Sequence, residues 1–295
     1  MHVTQRSCAL LRWITGMTLA SLLATSAVAM EVTLWGGKNA RTAYETQLLQ
    51  AVLDHTADQY PAYRLSVNNQ HLGAQRGRQA VADGELANVY VSGLRDDDFT
   101  RAGRLLVVPH PTMKGLLGYR AAIIRKTDQQ RFAEAAAQHQ LRNLTVGQGS
   151  HWADADILRH NAFTVNDSGR YENLLEMLAY GRFDTVFLGI AEAADEIAAS
   201  RAAEQLTVAE HTLIYYPHAM VFYVSARERE LAERIALGLK RVEEDGTLDA
   251  LLHHHFGDAI ALIRRSDTQL LVLEHPSPSL VPALEKPLLA TSPKR

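Results

Sequence analysis

Residues 144–159, reading Leu-Thr-Val-Gly-Gln-Gly-Ser-His-Trp-Ala-Asp-Ala-Asp-Ile-Leu-Arg, carry the arrangement in this chain best suited to holding a ligand. Gly147-Gln148-Gly149 forms a tight turn after a short apolar strand. Ser150 is a suitable N-cap, and Asp154 and Asp156 place negative charge in the early turns of a helix, where its dipole favours it. A glycine turn ending in a capped helix offers free backbone N–H groups to an anion or polar ligand. Other chemistries fit less well. The third glycine of a dinucleotide fingerprint is missing, with Trp152 in its place. Ser150 and His151 are adjacent but lack a G-x-S-x-G elbow, which argues against a serine hydrolase. His151, Asp154 and His160 lie near one helical face as metal donors, yet cap and surface roles account for them better. His253-His254-His255 point in different directions at a helix end and make a poor zinc site. Trp35, Trp152 and Tyr216 stand at strand or turn ends, as core aromatics or as surfaces for a ligand.

The elements that must position this turn follow an α/β pattern. Upstream, Val32–Trp35, Tyr63–Val67 and Asn88–Val91 predict strands, separated by helices over Tyr44–Leu53 and Arg76–Ala82. Short links between them imply parallel strands, and ligands bind beyond the carboxyl ends of such strands. Those ends carry Trp35-Gly36-Gly37, Asn68-Asn69 and Ser92-Gly93. Residues 101–126 differ in kind. The apolar run Leu105–Val108 is followed by Pro109, Pro111 and Lys114-Gly115-Leu116-Leu117-Gly118-Tyr119-Arg120, then by a strand at Ala121–Ile124, as a crossover between lobes requires. Lys114, Tyr119 and Arg120 serve there as hinge packing or as pocket donors. A second α/β unit follows. It has helices at Arg131–Gln138, Tyr171–Tyr180 and Ala191–Ala199, and strands at Leu144–Val146, Phe163–Val165, Thr185–Leu188 and Leu213–Tyr216. Met220–Val224 predicts a further strand, Leu231–Glu244 a helix and Leu248–His255 a short closing helix. Five of the nine prolines lie beyond His275, and residues 266–295 are expected to form a flexible tail.

The N-terminus is the most legible part. Arg6 and Arg12, the apolar run Ile14–Leu23 and Ala27-Val28-Ala29 form a secretory signal peptide over residues 1–29. Cleavage would remove Cys8, the only cysteine, leaving no disulfide or thiol chemistry and no lipid-anchor site. The remaining chain holds 28 basic and 33 acidic residues, a balance that argues against nucleic acid as a partner. No later apolar run is long enough for a membrane span.

Four segments, in this order and behind that leader, resemble a periplasmic solute-binding protein of family 3, the family that serves polar amino-acid uptake. They are Arg101–Tyr119, Val146–His151, the helix-to-strand passage Leu174–Leu188 through Gly181-Arg182-Phe183-Asp184, and Asp245-Gly246-Thr247-Leu248 leading to His255-Phe256-Gly257. Within that family the chain is most similar to a transporter-like branch with a Gly-Leu-Leu-Gly-Tyr-Arg segment at Gly115–Arg120. The resemblance implies an α/β, two-lobed type II periplasmic-binding-protein fold, each lobe a mainly parallel sheet flanked by helices, joined by two crossover strands. Residues 30–118 plus 219–265 would form lobe 1, and 119–218 lobe 2. It implies a monomer in the periplasm that needs no cofactor and closes on a small polar, anionic or amino-acid-like solute. The partner is then the permease of an ABC-type uptake system or, alternatively, a membrane receptor that the protein signals to. An enzyme on the same scaffold is a third reading, for which no base–nucleophile constellation is present. Carried over residue by residue, Arg101 is the carboxylate-binding arginine, with Arg104 close enough to be the true counterpart. Ser92 and Gly93 match a strand-end contact, and Gly149, Ser150 and His151 the donors of the second lobe. Trp35, Asn69 and Lys114 complete the expected contacts. The acid that usually receives the ligand's ammonium group falls at Gly189, unless Glu192 substitutes for it.

Overall fold

The computed structural model describes residues 29–276 apart from 38, 39, 71, 73, 96, 97, 151 and 266. The expected signal sequence therefore lies outside the described residues, save for Ala29. The chain begins with β1 (Met30–Trp35), α1 (Ala40–Asp54), β2 (Tyr63–Asn68), α2 (Ala74–Asp83), β3 (Val89–Gly93), a single turn α3 (Asp98–Arg101) and β4 (Leu105–Val108). It then crosses to β5 (Tyr119–Arg125), α4 (Gln129–Ala137), β6 (Thr145–Gly147), α5 (Ala153–His160), β7 (Thr164–Asn166), α6 (Leu174–Ala179), β8 (Thr185–Gly189), α7 (Ala193–Ala199) and β9 (Leu206–Tyr215). It returns through β10 (Met220–Ser225), α8 (Arg229–Glu244), α9 (Thr247–Ile263) and β11 (Gln269–Val272).

These strands make two sheets of repeated order. The first runs β2-β1-β3-β10-β4 and the second β7-β6-β8-β5-β9-β11. Within each, one strand enters from the other side of the molecule and runs against its neighbours. These are β10, antiparallel to β3 and β4, and β5, antiparallel to β8 and β9. All other strands of a sheet share one direction.

Period-2 alternation explains why these segments are strands with both faces covered. In β10, Met220, Phe222 and Val224 join the cluster under α1 and α8, whereas Val221 and Tyr223 join Val81 of α2 and Phe99 of α3 on the opposite face. In β5, Ala121 and Ile123 pack towards Leu174 and Leu178 of α6, while Ala122 and Ile124 meet Phe132 of α4 and Leu158 of α5. Arg120 is the one charged residue in this otherwise apolar strand interior.

The two crossings lie side by side. Tyr119 pairs with Tyr215, and the Tyr216 amide donates to the Gly118 carbonyl at 3.2 Å. A Cβ on Gly118 would stand 2.6 Å from the Tyr216 carbonyl oxygen, so only glycine permits this approach.

Three expectations need correction. The segment expected as a tail supplies β11, which extends the second sheet by pairing with β9 from Gln269↔Thr212 to Val272↔Tyr215. Its four residues, Gln-Leu-Leu-Val, are too few to show a period, and the following prolines mask them. The closing helix continues past His255 to Ile263, with a break at Phe256 (φ −131°, ψ 22°), because Ala259, Ile260 and Ile263 find buried positions beyond it. The helix after the glycine turn starts at Ala153, not at Ser150. Trp152 occupies its N-cap position and makes no side-chain cap bond. Among the described residues, no helix is long and apolar enough to cross a membrane.

Candidate functional site

The carboxyl ends of β1 and β3, the α2 face above them and the N-terminal part of α5 enclose a cleft of about 630 Å³ between the two sheets. Aromatic pairs form opposite walls. On the first-sheet side Trp35 lies 6.0 Å from Tyr90, and on the second-sheet side Trp152 lies 5.4 Å from Tyr171. Such rings give a ligand large apolar contact at small entropic cost.

Among the described residues six arginines line the cleft: Arg41, Arg76, Arg78 and Arg95 from the first-sheet side, and Arg120 and Arg170 from the second. The acids among these described lining residues are Asp154, Glu172, Glu192 and Glu196, all from the second side. At the cleft floor Arg120 and Asp154 form a buried pair at 2.8 Å, and the Tyr216 hydroxyl donates to the same Asp154 oxygen at 2.5 Å. The Arg120 guanidinium lies over the Tyr216 ring, 4.9 Å from its centre. Burial alone would raise the Asp154 carboxyl, but Arg120, His218 and the Tyr216 hydroxyl outweigh it and hold the pKa below the usual carboxylate value. Burial drives His218 down to about 4, against the opposing pull of Asp154, so this imidazole is neutral at pH 7. His218 in turn presses on the backbone of Gly93, where a Cβ would stand 2.6 Å from Nε2.

A second charged group ties the two sides together. Arg41 of α1 meets Glu192, next to the start of α7, at 2.7 Å and Glu45 at 3.3 Å. Attraction to Glu192 raises the Arg41 pKa in spite of burial, while burial pushes the Glu45 carboxyl up to about 7.

Trp35, Ser92, Gly93 and Ser150 line this cleft, and Asn69 lines an adjoining hollow beside Trp35 and Arg41. Gly149 lies against the Trp152 indole, 2.5 Å from where its Cβ would be. His151 lies outside the described residues. Arg101 is placed elsewhere. It is exposed on α3, paired with Asp98 at 2.7 Å, and does not line the cleft. Arg104 pairs with Asp83 at 2.7 Å and stacks on Phe99, also outside it. Lys114 binds Asp249 of α9 at 2.7 Å and anchors the outgoing crossing. Gly189 pairs with Arg120 across the β5–β8 register and is covered by Leu117, with Glu192 beside it.

The glycine turn also differs from expectation. Three of its amides are spent within the fold: Gln148 donates to the Asn166 carbonyl, Ser150 to that of Gly169 and Trp152 to that of Gly149. Much of the polar character of the site comes from arginine side chains. Sequence reasoning passed over Arg41, Arg76, Arg78, Arg95 and Arg170. Arg120 did carry a signal, as a charge inside an apolar strand run. Among the described residues no group of three or more His, Cys, Asp or Glu side chains is placed to hold a metal ion.

No protein-family model matches the sequence, and no curated protein matches it. Solved structures do match. A Salmonella typhimurium periplasmic binding protein with high arginine specificity aligns with a TM-score of 0.54 at 15% identity, over 77% of this chain and 100% of that one. A Silicibacter pomeroyi periplasmic His/Glu/Gln/Arg/opine family-binding protein in complex with lysine gives 0.55 at 12% identity, over 77% and 97%. The BvgS VFT2 domain of Bordetella pertussis, as a double mutant, gives 0.56 at 15% identity, over 77% and 93%. Repeated sheet order, paired crossings and these likenesses agree: the chain has the two-lobed fold of the type II periplasmic binding proteins.

Proposed function

We propose that this protein captures a small polar solute, anionic or amino-acid-like, between its lobes in the periplasm and delivers it to a membrane permease of an uptake system. The observation that carries this reading is the cleft lined from both sides by arginines and aromatic rings. Guanidinium groups recognise carboxylates and other oxyanions through paired N–H donors. The lobes divide at 30–118 plus 219–265 and 119–218, with β11 added to the second, and hinge at the adjacent crossings around Gly118 and Tyr216. A solute bridging both walls draws the population towards a closed form by the difference in its affinity for the two states. A binding role is supported by the solved structures that share this fold, which are binding proteins.

The test is a thermal-shift panel of organic acids, amino acids, oxyanions and sugars on the processed chain. It is read alongside tryptophan fluorescence, because Trp35 and Trp152 both line the cleft. A solute at a hundredfold its Kd stabilises by about 2.7 kcal/mol. A shift with a matching fluorescence change is expected from one solute class; no shift from any member of the panel overturns the reading.

A further inference from the structure

This inference rests on the capture reading and concerns what holds the two lobes together. Arg41 stands in the first turn of α1, on the first lobe, and Glu192 at the N-cap position of α7, on the second, 151 residues along the chain. Arg41 Nη1 donates to Glu192 Oε1 at 2.7 Å, and both side chains are partly exposed. Helix α7 makes no use of this carboxylate, since Glu192 forms no side-chain cap bond. Gly189 leaves room for it. A Cβ there would stand 3.2 Å from the Glu192 Oε2 atom and 2.8 Å from the Leu117 side chain.

The partners are arranged so that this contact can break and re-form. Arg41 has a second carboxylate one turn along its own helix, with Nε 3.3 Å from Glu45 Oε1. That pair lies within α1 and does not depend on where the second lobe stands. When the lobes part, Arg41 keeps Glu45, and Glu192 is rehydrated from a position already open to solvent on one side. Of its two carboxylates, Glu192 attracts Arg41 the more strongly. The Arg120–Asp154 pair is different in kind, with both partners on the second lobe and almost wholly buried. It fixes one lobe internally and says nothing to the other. We propose that Arg41 and Glu192 form a clasp between the lobes, a positioning pair that serves capture by favouring the closed form. A partly screened, charge-assisted hydrogen bond shifts the ratio of closed to open form by about tenfold. Apparent affinity scales with the fraction of protein in the binding-competent form, so the clasp tightens capture of any solute that the closed cleft accepts.

The test uses no solute, so its failure and that of the capture reading are separate events. Trp13 lies in the expected signal sequence; the processed chain keeps Trp35 on the first lobe and Trp152 on the second, and both line the cleft. Acrylamide quenching of their fluorescence and the radius of gyration from small-angle X-ray scattering both report opening. Arg41→Gln and Glu192→Gln are each expected to raise both readings. The double variant should be no more open than either single, because the second change removes nothing further. Unchanged readings in both singles overturn the clasp. So does a double variant whose opening is the sum of the two, since the side chains would then act independently. Added salt should open the parent and leave the double variant unmoved; the same salt response in both overturns the assignment to charge pairing. Should Arg41→Gln fail to fold because Glu45 loses its partner, Glu192→Gln decides on the same readings, with its own salt response in place of the double variant's.

Discussion

The two lobes share a strand order and differ in what they bring to the cleft. Among the described residues the first supplies four of the six lining arginines and none of the four lining acids; the second supplies those acids and two arginines. Strand order is dictated by the burial of alternating apolar faces, which is similar in both sheets. The cleft chemistry comes from helix starts and strand ends, which the sheets constrain little. A repeated scaffold has thus been given mostly arginines on one side and all the described lining acids on the other, with Arg41 and Glu192 joined across the cleft.

The sharpest way to break that contrast is at the wall that carries the acids. Arg120→Met leaves the Asp154 carboxylate buried without its guanidinium partner, held by the Tyr216 hydroxyl and a backbone hydrogen bond. Removing one partner of a buried pair costs roughly 3–5 kcal/mol, far more than the pair itself contributes. Urea unfolding should show a loss of that size, and the double variant Arg120→Met with Asp154→Leu should recover much of it. A single variant as stable as the parent would mean that Asp154 does not depend on Arg120 for its charge.

How far the sequence revealed this division depends on the kind of signal. The strands were readable because each face of β5 and β10 meets a different apolar layer, and the alternation survives in the residue order. β11 was not, since four residues before a proline-rich stretch carry no period. At the cleft, strand ends such as Trp35 and Ser92-Gly93 were readable as lining residues because open α/β sheets place their crevice beyond the carboxyl ends of the strands. The arginines of α2 were not, because Arg76 and Arg78 look like a solvated helix face until the second sheet is set opposite. Arg101 shows the converse: its type suited carboxylate binding, and only the placement of α3 shows it facing solvent.

The cationic wall is tested by Arg78→Gln. Hydrogen bonds to a charged group are worth roughly 1.5–3 kcal/mol, so the Kd for a bound anionic solute should rise about ten- to a hundredfold. Titration calorimetry reads this directly. An unchanged Kd would move the anion contacts to the second wall and erase the contrast.

A smaller effect separates the bridge between the lobes from both walls. Burial holds the Glu45 carboxyl at about 7, above its ordinary 4.5, despite Arg41 nearby. Between those values the folded chain keeps a proton that the unfolded chain has lost. The associated stability is therefore full below pH 4.5 and falls as the pH rises to 7. Glu45→Gln removes that dependence. At pH 8 it should be more stable than the parent by on the order of 2 kcal/mol, after allowing for the lost contact with Arg41, and at pH 4 it should show no such advantage. Thermal unfolding across this range checks the sign, and a gain confined to acid pH would overturn the assignment.

The smallest expected effect falls on the residue that sequence resemblance ranked first. Arg101 stands on a single helical turn, 56% exposed, three residues from the Asp98 that it pairs with. Exposed pairs of this kind contribute little, and neither partner reaches the cleft lining. Arg101→Ala should therefore leave the Kd for a bound anion within about threefold of the parent, in a titration where Arg78→Gln raises it severalfold more. If the order were reversed, α3 would have to swing towards the cleft on binding. The cationic wall would then be assembled by the solute rather than presented to it, and the difference between the lobes would belong only to the unliganded form.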